Sequence, residues 1–76
     1  MSRETLELSR MRGLVAGGLV REIRVGAGLT LAEIAKDVGV HPSTVFYWET
    51  GRSVPRGEGA VRYARLILEL ESMARR

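Results

Sequence analysis

Between His41 and Arg52 the chain gathers its only histidine, three short hydroxyl side chains (Ser43, Thr44, Thr50), three consecutive aromatic rings (Phe46, Tyr47, Trp48) and an arginine. Hydroxyl and imidazole groups donate hydrogen bonds to phosphate oxygens, and a guanidinium fork fits phosphate or a guanine edge. Aromatic rings offer apolar faces that suit thymine methyl groups or a wedge at a base step. Catalysis is the other use of a histidine near a serine, but it needs a group to orient the base, and none stands in reach on a solvent-facing turn. The carboxylates are spread at surface spacing, where ion pairing explains them. Gly26 and Gly28 lack the third glycine or the lysine-serine pair of a phosphate loop. No cysteine is present, and one histidine builds no metal site. We therefore expect no enzyme, no cofactor, no metal and no small-molecule ligand.

These residues need a scaffold, and the chain punctuates one in helices. Thr30, Leu31, Ala32, Glu33 read as a capping box, with Thr30 as N-cap and Glu33 reaching back to its amide; Leu29 and Ile34 can form the accompanying staple. A helix starts at Leu31 and stops at Gly39, since glycine takes the left-handed conformation that ends helices. The next has His41 at the cap and Pro42 at the first position, where a missing amide is harmless. It runs to about Thr50, and Gly51 closes it. Upstream, Leu19, Val20, Ile23 and Ala27 mark a helix ending near Gly26 or Gly28. Thr5 to Val15 is helical as well, and Gly17 and Gly18 leave open whether these are one helix or two. After Pro55, a last helix begins near Glu58 or Ala60 and runs to Ala74. No strand pattern and no repeat appear.

The spacing from Leu31 to Thr50 is demanding. Ile34, Val38, Val40, Val45 and Trp48 are the inward anchors, Ala35 is small where a second helix would press closest, and Gly39 sits at the bend. Two short helices crossing over a tight turn form a helix-turn-helix, whose second helix presents its outer face to solvent or to a DNA groove. Trp48, three residues after Val45, belongs to the core. Tyr47 faces out, and Phe46 faces out or folds over the helix edge.

On the "GLT" at 28 to 30, "LAEIAKDVGV" at 31 to 40, "STVFYWETG" from 43 and the "RSVP" that ends at 55, the chain resembles the lambda-repressor-like, Cro-type helix-turn-helix family over about residues 19 to 68. The resemblance implies a compact all-α domain of four to five helices that binds double-stranded DNA and regulates transcription, as a phage-type repressor, Cro-like protein or excision-type accessory factor. It implies a structural ion pair between Arg24 and Glu49. It also implies base contacts from Pro42, Ser43, Thr44, Phe46 and Tyr47, and phosphate contacts from Thr30, His41, Thr50, Arg52 and Arg56. The chain departs from the family where glutamine is common, at Leu31, and where a polar residue is common, at Pro42. Direct base readout is correspondingly thin, which leaves dimer spacing, DNA shape or minor-groove arginine to supply specificity.

Composition sets the frame. At 76 residues the chain reads as one domain, with a helix-turn-helix core at 31–50 and an N-terminal extension at 1–17. The net charge is +3, and every basic residue but Lys36 is arginine. Arg52, Arg56, Arg62 and Arg65 cluster with Glu58 as the one acid among them, either a polyanion-binding surface or a solvated face. No uncharged run, Gly13 to Val20 among them, approaches the roughly 20 residues that span a bilayer. No export signal and no membrane partner are expected, and the expected location is the cytoplasm of a bacterium or phage-infected host. The last helix is apolar around most of its circumference: a polar stripe of Arg62, Arg65, Glu69 and Ser72 leaves Leu66, Leu70 and Met73 needing a partner. That partner is the N-terminal segment or a second copy, so a homodimer is expected. A helix-turn-helix used as a protein-docking module, with Phe46 and Tyr47 as contact surface, is the alternative function.

Overall fold

Gly18 takes φ 72°, and there the N-terminal third of the chain breaks into two helices. The computed structural model describes residues 1–75, and its elements in chain order are α1 (Arg3–Ala16), α2 (Leu19–Gly26), α3 (Leu31–Val38), α4 (Pro42–Glu49) and α5 (Gly57–Ala74). The architecture is all-α, with a helical N-terminal extension and a long C-terminal helix, as expected.

The local signals act where the sequence places them. Thr30 Oγ1 accepts from the Glu33 amide at 3.1 Å while the Thr30 amide donates to Glu33 Oε1 at 2.9 Å, so two otherwise orphaned donors are satisfied. These bonds hold the Glu33 carboxyl below its usual range. Gly39 closes α3 at φ 78°, and α4 starts on His41 with Pro42 at its first position.

The core is assembled around α5. Ala60, Tyr63, Ala64 and Ile67 of α5 are fully buried against Met11 of α1, Val20 of α2, Ile34, Ala35 and Val38 of α3, and Val45 and Trp48 of α4. Of the apolar positions read on α2, Leu19 and Ala27 lie exposed, because the helix presents only Val20 and part of Ile23 inward. Val40 is half-buried, and it meets the start of α5 closely. A Cβ on Gly59 would stand 2.8 Å from Val40 Cγ1, so a glycine is what allows α5 to approach the turn.

The broad apolar surface of α5 finds its partner within the chain. α1 packs along it, burying Met11, with Leu8, Leu14 and Val15 of α1 and Leu66 and Leu70 of α5 packed against the same core. Arg65 pairs with Glu7 at 3.2 Å and Glu4 at 3.6 Å, and Arg10 with Glu71 at 3.5 Å. The arginines of these pairs are exposed, so the pairs contribute little energy to the packing of α1 on α5.

Candidate nucleic-acid interface

α4 is anchored from behind by an ion pair. Arg24 Nε donates to Glu49 Oε2 at 2.7 Å and Nη2 to Oε1 at 3.0 Å, a bidentate fork. The third donor, Nη1, reaches the Leu29 carbonyl at 2.8 Å. Both side chains are mostly out of solvent, and the bonds to Glu49 raise the Arg24 pKa above its already high value. One residue therefore ties α2, the approach to α3 and the end of α4 together. Trp48 completes the rear face, with its ring centroid 5.0 Å from that of Tyr63. Burial, with the Glu49 charge adding to it, pushes the Tyr63 hydroxyl far up, and that hydroxyl has no hydrogen-bond partner among the described residues.

The front face is open. Phe46 and Tyr47 are each 42% exposed, with ring centroids 6.0 Å apart and planes tilted by 56°. Phe46 projects outward and also lines, with Arg21, Leu31 and Thr50, a shallow pocket beside the ion pair. Tyr47 carries the Arg52 guanidinium, whose central carbon lies 5.6 Å from the ring centroid. Pro42 and Ser43 are exposed and Thr44 is half-buried. Between Asp37 and Glu58 the sequence has one acid, Glu49, and that one is turned inward.

His41 is committed as a cap, and this settles its tautomer when neutral. Its Nδ1 accepts the Ser43 amide at 3.1 Å and lies 2.8 Å from the Ser43 hydroxyl, so the ring proton sits on Nε2, a free donor on the far side. Thr50 is exposed, and its hydroxyl donates to the Phe46 carbonyl at 2.8 Å. Thr30 has its amide engaged with Glu33 and keeps its hydroxyl proton.

The arginine cluster read from sequence divides. Arg52 and Arg56 stay exposed and, among the described residues, without an ion pair. Arg62 instead donates to the Val38 carbonyl at 3.0 Å, satisfying the end of α3 beside Gly39, and Arg65 serves α1. Of the apolar residues offered as dimer contacts, Leu66 and Leu70 pack on the chain's own core, while Met73 remains 54% exposed.

Two arginines escaped the sequence reading. Arg21 lines the Phe46 pocket; its spacing of three from Arg24 puts it on the same face of α2, a signal that was available. Arg12 reaches the Pro55 carbonyl at 2.7 Å across 43 residues, and nothing local announces that.

With this geometry in hand, comparison with protein-family models returns helix-turn-helix over residues 20–67. The match spans most of the chain, and the chain belongs to the helix-turn-helix family, in its lambda-repressor and Cro-like branch. The family is one of DNA-binding regulators, so the partner it supports is double-stranded DNA. No curated protein and no solved structure matches the chain. None of the described helices is long and apolar enough to cross a membrane.

Proposed function

We propose that the protein is a sequence-specific transcriptional regulator of the phage-repressor, Cro-like or excision-accessory kind, which inserts α4 into the major groove of an operator. The observation that carries this reading is the electrostatic asymmetry of α4. Its one carboxylate is buried on Arg24, while its front edge is flanked by Arg21 beside Phe46 and Arg52 over Tyr47, with Arg56 on the loop that follows, all three exposed and free of ion pairs among the described residues. Such a face attracts a polyanion and repels none of its charge. In this reading Pro42, Ser43, Thr44, Phe46 and Tyr47 face base edges. Arg21, Arg52, Arg56 and the Nε2 proton of His41 hold phosphates, with the Thr30 hydroxyl beside them. Thr50 acts by ordering the end of α4 instead of donating to the duplex. Apolar rings dominate the front face, so thymine methyl groups and DNA shape supply the discrimination that long polar side chains supply elsewhere.

The regulator acts as a homodimer in the cytoplasm, on two half-sites about 34 Å apart, one helical turn. Met73 supports this, standing exposed in a shallow, mostly apolar groove with Ile23, Gly26, Ala27, Leu70 and Ala74, edged by Glu22. The deciding experiment is the salt dependence of binding to a random-sequence duplex, with the mass of the free protein recorded in the same buffers. A steep fall of affinity with salt, made shallower by about one unit in Arg52→Ala, is expected. Absence of binding at low salt would reject the reading in favour of a docking module, for which the exposed Phe46 and Tyr47 pair would be the contact surface. A dimeric mass that Met73→Glu lowers is expected; a monomeric wild type would reject the dimer.

A further inference from the structure

Residues 50–56 join α4 to α5 and carry two of the cations assigned above to the duplex backbone, Arg52 and Arg56. The first half of this loop is tied to α4, because the amides of Arg52 and Ser53 both donate to the Tyr47 carbonyl, at 2.9 and 3.3 Å. The second half is held differently. Arg56 occupies the N-cap position of α5 without a side-chain cap bond, and Val54 is 52% exposed. What reaches this stretch is Arg12 of α1. Its Nη2 donates to the Pro55 carbonyl at 2.7 Å, the only side-chain hydrogen bond to residues 54–56 among the described residues. Around that bond Val15 and Ala16 of α1 face Gly51, Val54 and Pro55 across a shallow groove. Pro55 itself is buried. Both Arg12 and Val15 lie ahead of residues 20–67, outside the helix-turn-helix match.

We infer that Arg12 is a positioning residue for DNA binding: from a helix the family match does not include, it braces the second half of the loop so that Arg56 is ordered, beside the Arg52 that α4 already holds, before a duplex arrives. The inference rests on the DNA-binding reading and adds to it a task for α1. A guanidinium donating to a carbonyl at this distance is a charge-assisted bond, stronger than a neutral one. A loop already ordered avoids the entropy loss that phosphate contact would otherwise impose on it. Arg12 acts through Arg56, with one N–H of its own guanidinium committed to the Pro55 carbonyl.

The test measures binding to a random-sequence duplex as a function of salt for the wild type, Arg12→Met and Arg12→Lys. The same Arg12 substitutions are repeated in an Arg52→Ala, Arg56→Ala background. The ¹⁵N order parameters of Val54, Arg56 and Gly57 are recorded on the free proteins, and circular dichroism checks that each variant folds, as the surface position of Arg12 leads us to expect. Arg12→Met should weaken binding about tenfold, the size expected for losing one charge-assisted hydrogen bond. The salt slope should stay the same, the order parameters should fall at those amides, and Arg12→Lys should recover most of the affinity. In the double-alanine background Arg12→Met should cause no further loss. A slope reduced by about one would make Arg12 a phosphate contact and overturn the positioning role. An undiminished loss in the alanine background, or unchanged order parameters, would overturn it too. A wild type that binds no duplex at low salt rejects the DNA reading and this inference together, whereas equal binding by wild type and Arg12→Met rejects this inference alone.

Discussion

The two faces of α4 differ as much as two faces of an eight-residue helix can. The rear holds Val45 and Trp48 in the core and Glu49 in a bidentate bond with Arg24; the front holds Phe46 and Tyr47 half in solvent, beside arginines that have no acidic partner among the described residues. The rear face is overdetermined: moving one group there strands another, because a buried charge without its partner keeps its desolvation penalty. The front face is underdetermined within the chain, and its side chains can change without unfolding anything. A helix built this way is rigid in placement and free in content, which is what a recognition element requires.

The contrast can be broken most severely at the ion pair. Arg24→Met or Glu49→Gln should each destabilise the fold by about 3 to 5 kcal/mol, read by chemical denaturation. A double-mutant cycle should show strong coupling, and additive losses would mean that the two residues do not form a unit. The next largest effect is expected at Gly59→Ala. In an unobstructed helix interior alanine would gain up to about 1 kcal/mol. Here its Cβ would press on Val40 Cγ1, so a net loss of about 1 to 3 kcal/mol is expected, and a rise in melting temperature would show that the turn yields freely. Phe46→Ala and Tyr47→Ala sharpen the comparison from the other side. Stability should change by less than about 1 kcal/mol while operator preference changes; large destabilisation with unaltered preference would move those rings to the rear. Tyr63→Phe should be the smallest, neutral or stabilising by about 1 kcal/mol, since it removes a buried hydroxyl that has no hydrogen-bond partner among the described residues. A clear loss would reveal a partner for that hydroxyl.

Much of this was legible in the residues themselves. The capping box at Thr30 and Glu33, the stop at Gly39, the start at His41 and Pro42 and the inward setting of Trp48 are short-range effects, governed by a few dihedral angles and by helical periodicity. The Arg24 and Glu49 pair, 25 residues apart, was legible only through the family resemblance, and the structure brings it together. The division of the arginines was not legible. Arg62 and Arg65 share the composition of Arg52 and Arg56, and only the direction of α5 sends one to the end of α3 and the other to α1.

The amino-acid sequence by itself determined α3 and α4, their caps and the inward face of α4, because caps, glycine conformations and apolar spacing act within a few residues. The tertiary structure alone decided that Gly18 separates α1 from α2, that α1 covers the apolar flank of α5, and that Arg12 meets Pro55. Those outcomes depend on which surfaces pack together across the chain, and packing selects among arrangements that local rules leave equal in energy.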